Sequence, residues 1–139
     1  MQTLKIYVRE FMHPLRHIFH VETSIEEVVK TLSKNKVVGG PVIDSSNKLV
    51  GFITEQDCIK QMLNNTYYCD SHLLAGDIMR KNPLSISPDY DILGLAESMT
   101  KKGPKIYPVV EADKVVGIIT RSDVLKALSL ASKDMCSVK

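Results

Sequence analysis

The sequence contains no tryptophan and few cysteines: Cys58, Cys69 and Cys136 are the three it has in 139 residues. Their odd number and the absence of a C-x-x-C pair argue against a disulfide framework or a zinc ribbon, and favour reduced thiols. No apolar run approaches the length of a membrane span, and the N-terminal residues lack the apolar core of a signal peptide. We therefore expect a cytoplasmic protein with no membrane partner.

The charges show no excess of one sign. There are 18 basic and 16 acidic side chains, giving a net charge of +2, and no run of Lys and Arg occurs. This balance argues against a nucleic-acid partner. Apolar residues make up 44% and charged residues 24%, which is typical of a globular domain, and the length fits one domain.

The most informative feature is an internal repeat. A shift of 67 residues places Met12 on Met79. The same shift places Pro41–Ile43 on Pro108–Val110. A loop one residue shorter then lowers the offset to 66, and two heptads coincide: Gly51–Asp57 and Gly117–Asp123. A match of this length with one gap indicates two copies of one structural unit.

Each copy has the pattern β-α-β-β-α. Short strands near 16–20 and 83–86 precede first helices whose N-caps are Ser24 and Asp91. The face predicted for the first helix is Ile25, Val28, Val29 and Leu32. A hairpin follows in each copy, and a last helix is predicted at 55–65 and at 121–132. The apolar positions of the two last helices are Ile59, Met62, Leu63, Val124, Leu125 and Leu128.

The predicted fold class is therefore α+β, with two repeats packed by pseudo-twofold symmetry, because one copy alone leaves an apolar face exposed. Repeat 1 is assigned to 1–66 with a core at about 8–65, and repeat 2 to 75–139 with a core at about 75–128. Residues 67–74 form a linker, and the repeats together make one compact module.

The ordered features resemble the CBS domain, a family named after cystathionine β-synthase, in its usual tandem pair (a Bateman module). The resemblance runs from about Val8 to Leu128 and depends most on the heptads Gly51–Asp57 and Gly117–Asp123. It implies a non-catalytic regulatory module with a cleft between two sheets. The implied effector is AMP, ADP, ATP or S-adenosylmethionine, with no obligatory cofactor. It also implies a disk-like homodimer, a stand-alone chain and an unknown regulated protein.

The T-x-x-D part of each heptad suits such a ligand on chemical grounds. Thr54 and Thr120 end a strand, and Asp57 and Asp123 lie in the helical turn that follows. A carboxylate can accept from two ribose hydroxyls, while a helix N-terminus favours phosphate. The same residues also form a capping box, and both interpretations can hold together.

The two copies differ beside these motifs. Arg121 follows Thr120 and can pair with phosphate, whereas Glu55 follows Thr54 and repels it. We therefore expect repeat 2 to bind a charged nucleotide, and repeat 1 to be empty or to bind an uncharged adenosyl group.

Further candidate ligand residues surround the proline of each hairpin: Gly39, Gly40, Pro41, Lys105, Tyr107 and Pro108. The glycines leave space for a flat base. Tyr107 can stack on a base or pack in the core, and Lys105 can reach an anion or remain a solvated surface charge.

Neither a metal site nor a catalytic residue is predicted. Pro14 interrupts the spacing of His13, His17 and His20, so solvated or packing histidines are favoured over ligands. Cys58 aligns with Val124 and is expected to pack. An adenosyl sensor is the leading hypothesis. A ligand-free dimerisation or scaffold module, whose T-x-x-D segments only cap helices, is the alternative, and a small nucleotide-processing enzyme ranks last.

Overall fold

The computed structural model describes residues 5–15, 17–64, 72–101 and 103–137, so most of the predicted linker at 67–74 lies outside the described residues. After a 3-10 turn at Val8–Glu10, the elements are β1 (Phe19–His20), α1 (Ile25–Asn35), β2 (Gly39–Ile43), β3 (Leu49–Thr54), α2 (Glu55–Leu63), α3 (Ala75–Ile78), β4 (Arg80–Lys81), α4 (Ile92–Thr100), β5 (Ile106–Glu111), β6 (Lys114–Thr120) and α5 (Arg121–Ser137).

Helix α1 begins where the sequence predicts. The Ser24 hydroxyl accepts a hydrogen bond from the backbone N–H of Glu27 at 3.2 Å, as an N-cap does. Three members of the predicted apolar face, Ile25, Val28 and Leu32, are buried. The helix ends at Lys36, which adopts a left-handed conformation with φ 53°.

Both predicted hairpins are present. Strands β2 and β3 pair antiparallel, with Gly39 opposite Thr54 and Val42 opposite Gly51. Strands β5 and β6 form the second pair, and positive φ angles at Ala112 and Asp113 make the two-residue turn between them.

The first strand of each repeat is shorter than expected. β1 pairs parallel with β2. The predicted strand at 83–86 reduces to one parallel bridge between Ile86 and Val109.

The chain forms two compact units that do not follow the order of the repeats. Unit 1 consists of Met1–Leu15, Leu84–Ala112 and Val116–Lys139; unit 2 consists of Arg16–Pro83 and Asp113–Val115. The first residues of repeat 1 therefore pack with repeat 2, and the first residues of repeat 2 pack with repeat 1. We call residues 5–15 and 75–83 the exchanged segments.

Each exchanged segment packs against the glycine of a heptad. His13 and Ile118 exchange two backbone hydrogen bonds of 2.8 and 3.0 Å, which brings the Met12 side chain onto Gly117. In unit 2, β4 pairs with β3 and the Met79 side chain contacts Gly51. A side chain at either glycine would occupy the space that the methionine and its backbone fill.

The two units have equivalent cores. Buried residues at matching repeat positions are Ile25 and Ile92, Val28 and Leu95, Val42 and Val109, Ile53 and Ile119, and Cys58 and Val124. The apolar positions expected in the last helices are partly wrong, because Ile59, Leu63 and Leu125 are exposed. Val124 is buried as predicted, and Cys58 and Ala127 provide the other buried positions of α2 and α5.

We predict that Gly117→Ala lowers the free energy of unfolding by about 1–3 kcal/mol, the usual cost of overpacking. The added Cβ would lie 2.6 Å from the backbone oxygen of His13, which cannot rotate away. Denaturant unfolding measures the change.

Gly94→Ala is the matched control, because its Cβ meets the half-exposed ring of Tyr90 at 3.2 Å and alanine favours the helix. Equal stability of the Gly117→Ala and Gly94→Ala variants would contradict this account of the exchanged segment.

Candidate functional site

The T-x-x-D motif of each unit forms a complete capping box. In unit 1, Asp123 Oδ2 accepts hydrogen bonds from the backbone N–H and the hydroxyl of Thr120, at 2.8 and 2.9 Å. The Asp123 N–H donates in return to the Thr120 hydroxyl oxygen at 3.3 Å. Thr54 and Asp57 form the same three bonds in unit 2, at 3.0, 2.9 and 3.2 Å. The capping role predicted as an alternative is therefore confirmed in both units.

A basic side chain from an exchanged segment contacts the other oxygen of each carboxylate. His13 Nε2 lies 2.5 Å from Asp123 Oδ1, and Arg80 Nε lies 3.2 Å from Asp57 Oδ1. His13 and Arg80 are equivalent positions, since each follows the repeated methionine. Sequence reasoning missed both partners, although the 67-residue offset that aligns Met12 with Met79 also aligns these two basic residues.

These contacts limit what the carboxylates can still accept. Oδ2 of each aspartate already accepts from two donors, so both of its lone pairs are used. Oδ1 accepts from one donor. The side chains of Asp57 and Asp123 are only 10% and 11% exposed. Oδ1 therefore keeps the acceptor position that remains, while both positions of Oδ2 belong to the helix cap.

The glycines of repeat 1 have a different role from the predicted one. A Cβ at Gly39 would lie 2.8 Å from the Ile53 carbonyl oxygen and 2.9 Å from the Phe52 ring. A Cβ at Gly40 would lie 3.0 Å from the Phe19 ring. Protein atoms fill the side-chain space of both glycines, so the prediction that this space accommodates a flat base is wrong.

Tyr107 and the two hairpin prolines belong to the interior. Tyr107 is 6% exposed and lies in the core of unit 1, and Pro41 and Pro108 are fully buried. Burial raises the pKa of the Tyr107 phenol, and the nearby Tyr90 adds to the increase. The packing interpretation of Tyr107 is confirmed, and its ring face is not available to stack on a base.

Lys105 and Arg121 are brought together at the start of α5. The Arg121 N–H donates to the Lys105 carbonyl at 2.9 Å, and both side chains are exposed. Neither takes part in the ion pairs found between the residues that the structure describes. In unit 2 the corresponding bond runs from Glu55 to Val38, so an acidic residue stands where Arg121 stands in unit 1. The positive charge that Arg80 contributes to the T-x-x-D site of unit 2 was not predicted from the sequence.

The cysteine and histidine expectations have separate outcomes. Cys58 is buried, as expected from its alignment with Val124, and burial together with Asp57 and Glu55 raises the pKa of its thiol. Within the described part of the chain, no group of three or more side chains could hold a metal ion. The His13 side chain is 53% exposed, as expected of a solvated histidine, and its Nε2 also contacts Asp123. In the same part of the chain, no helix is long and apolar enough to cross a membrane.

Comparison with known proteins identifies the family and the fold. The family model of the CBS domain matches residues 8–64 and 75–130. The structure of CBSX2 from Arabidopsis thaliana in complex with AMP is similar with a TM-score of 0.79 and 28% identity, covering 91% of this chain and 98% of that one. The CBS domain pair of protein MJ0100, in complex with 5′-methylthioadenosine and S-adenosylmethionine, gives a TM-score of 0.78 at 28% identity, with coverages of 91% and 98%.

The curated relatives include much longer proteins. The A-adding tRNA nucleotidyltransferase of Aquifex aeolicus is 30% identical over 90% of this chain, which spans 15% of that enzyme's length. The matched part is thus a module that also occurs beside other domains. With two family matches and an α+β fold shared with CBS pairs, this chain belongs to the CBS domain family and carries two CBS domains.

Proposed function

We propose that the protein is a non-catalytic regulatory module that binds an adenosyl ligand, and that the T-x-x-D site of unit 1 is the principal binding site. The observation that carries this proposal is the position of Arg121 and Lys105, two exposed basic residues, next to the capped N-terminus of α5 and the carboxylate of Asp123.

The ligand groups can be assigned to these residues one by one. Asp123 Oδ1 accepts from a ribose hydroxyl, since Oδ2 is used in the helix cap. The Thr120 hydroxyl donates to Asp123, so it contributes an acceptor. Arg121 and Lys105 bind phosphate, which the positive end of the α5 dipole also favours.

Unit 2 differs in its charge. Glu55 replaces Arg121 and repels a phosphate, while Arg80 occupies Asp57 Oδ1. We propose that this site binds an uncharged adenosyl group or stays empty. The ligands bound by the similar CBS pairs, AMP in CBSX2 and 5′-methylthioadenosine with S-adenosylmethionine in MJ0100, support an adenosyl compound as the effector class.

A ligand-free scaffold module is the second candidate, and one observation favours it. Both capping boxes are complete without any ligand, so T-x-x-D has a structural role in each unit. On this hypothesis, replacing Asp123 lowers the free energy of unfolding by about 0.5–2 kcal/mol, as the loss of a helix cap does. It changes the binding of no ligand. A small nucleotide-processing enzyme remains the last candidate.

Calorimetric titration with AMP, ATP and S-adenosylmethionine distinguishes these hypotheses. We predict that Asp123→Asn weakens binding roughly 10- to 150-fold, because hydrogen bonds to a charged acceptor contribute about 1.5–3 kcal/mol. Arg121→Gln should weaken the binding of AMP and ATP. The binding of S-adenosylmethionine should not change, because this ligand has no phosphate.

Asp57→Asn is the matched control in unit 2 and should leave the affinity for AMP nearly unchanged. Equal losses of AMP affinity in the Asp57→Asn and Asp123→Asn variants would contradict the assignment of the principal site to unit 1. Absence of heat with every ligand would favour the scaffold hypothesis.

We also propose that two copies of the chain associate, in line with the disk-like homodimer that the family resemblance implies. Exposed apolar side chains at one repeated position support this proposal. Ile59 of α2 is 56% exposed and Leu125 of α5 is 69% exposed, and the repeat offset of 66 relates them. Removing such side chains from water by contact with a second copy would be favourable.

We predict that the double variant Ile59→Glu, Leu125→Glu shifts the protein from dimer to monomer, because association would bury the added charges. Sedimentation equilibrium measures the mass. Leu84→Glu is the control, since Leu84 is equally exposed but lies outside α2 and α5. A monomeric native protein, or an unchanged dimer in the double variant, would contradict the proposed association.

A further inference from the structure

We infer that Met12 and Met79 are oxidation-sensitive contacts, and that a sulfoxide at either methionine loosens an exchanged segment from the glycine it packs on. Oxidation of Met12 then lowers the affinity of unit 1 for its ligand. The statement about affinity rests on the adenosyl-binding function proposed above, whereas the statement about the contacts does not depend on it.

Each thioether packs on a glycine where no side chain intervenes. Met12 Sδ and Cγ lie 3.2 and 3.5 Å from the place that a Cβ at Gly117 would occupy. At Gly51 the nearest atoms to that place are again Sδ and Cγ of a methionine, Met79, with Cγ at 2.8 Å. Both glycines are buried. No space is therefore left between either sulfur and the strand beneath it for a further atom.

Both methionines keep part of their surface in solvent. Met12 packs against the core of unit 1 and Met79 against the core of unit 2, and each is only partly buried. A small oxidant in solution can therefore approach these side chains, as it cannot approach the fully buried members of the two cores.

The oxidant we consider is hydrogen peroxide. The sulfur gives up an electron pair to one peroxide oxygen, an S–O bond forms, the O–O bond breaks, and water leaves. The product is a sulfoxide, which is polar and chiral, and sulfoxide reductases return it to the thioether with one enzyme for each epimer. The modification is thus reversible.

A sulfoxide does not fit the place of either thioether. An oxygen directed at the glycine overlaps the backbone, and overpacking of this kind is destabilising. An oxygen directed at the apolar core is a buried acceptor without a donor, which also costs free energy. An oxygen directed at solvent requires the sulfur to turn off the glycine. Every orientation weakens the contact that docks the segment.

The contact of Met12 is connected to the T-x-x-D site of unit 1. The next residue, His13, exchanges two backbone hydrogen bonds with Ile118 of β6, and β6 ends at Thr120. Thr120 in turn holds Asp123 Oδ2. Loosening the segment removes a constraint two residues before Thr120, and a binding site that is less pre-organised has lower affinity.

Met62 of α2 and Met99 of α4 provide the comparison within the chain. Both are also partly buried. Neither is among the nearest neighbours of Gly51 or Gly117, whose space is taken by Met79 and Met12. Oxidation at Met62 and Met99 should therefore leave the exchanged segments docked.

Thermal unfolding of the full chain, before and after treatment with hydrogen peroxide, tests the contacts. Peptide mass spectrometry measures oxidation at each methionine. We expect the oxidised native protein to lose roughly 3–8 °C in melting temperature. The double variant Met12→Leu, Met79→Leu should lose little, because leucine has a similar volume and is not oxidised. The control variant Met62→Leu, Met99→Leu should lose as much as the native protein.

Calorimetry with AMP tests the effect on the ligand, and the repeat supplies the matched variants. We expect oxidation to raise the dissociation constant of the native protein about 5- to 10-fold, the change that corresponds to about 1 kcal/mol. Met79→Leu should show the same rise, because its Met12 is still oxidised, and Met12→Leu should show little. Treatment with sulfoxide reductases of both stereospecificities should restore the affinity of the native protein.

Three results would overturn the inference and leave the proposed function intact. They are an unchanged melting temperature in native protein oxidised at Met12 and Met79, oxidation of Met62 while Met12 and Met79 remain thioethers, and protection by Met62→Leu, Met99→Leu equal to that of the other double variant. Should Met12→Leu, Met79→Leu fail to fold, the two single variants decide the question.

The unoxidised native protein separates the two proposals. Failure of this protein to bind AMP would contradict the proposed function and the effect on affinity, while the melting temperatures would still decide whether the contacts are sensitive to oxidation. An AMP affinity that oxidation leaves unchanged, in protein whose melting temperature falls, would overturn the effect on affinity alone.

Discussion

Packing of a methionine on a glycine connects the exchanged segments to the rest of the protein. Met12 lies on Gly117 and Met79 on Gly51, and in both places backbone pairing fixes the segment against the strand that carries the glycine. Because the first residues of each repeat complete the unit built around the other repeat, neither repeat forms its compact unit from its own sequence alone.

The same packing connects the fold to the site. The residue after each methionine contacts the aspartate at the start of the last helix, and in both repeats this residue is basic. T-x-x-D therefore does three things: it caps the helix, it holds the exchanged segment, and in the proposed function it binds ribose. The first two use three of the hydrogen bonds that the carboxylate can accept, which leaves one acceptor position for a ligand.

Sequence patterns predicted the repeated elements well, because the cap at Ser24 and the hairpins depend on neighbouring residues. They could not predict which segment completes which unit, since the partners His13 and Asp123 are 110 positions apart. The role of Gly39 was missed, and the two alternatives for Tyr107 stayed open, for a similar reason: whether a residue faces a ligand or the core is decided by tertiary packing. Residue type indicated the chemistry of Asp57 and Asp123. Only the fold shows which carboxylate oxygen can still accept a hydrogen bond.

A crystal structure of the protein with AMP tests the central claim most directly. The account predicts a ribose hydroxyl within hydrogen-bond distance of Asp123 Oδ1, with the Thr120 bonds to Oδ2 intact. A ribose bound away from Asp123 would contradict it.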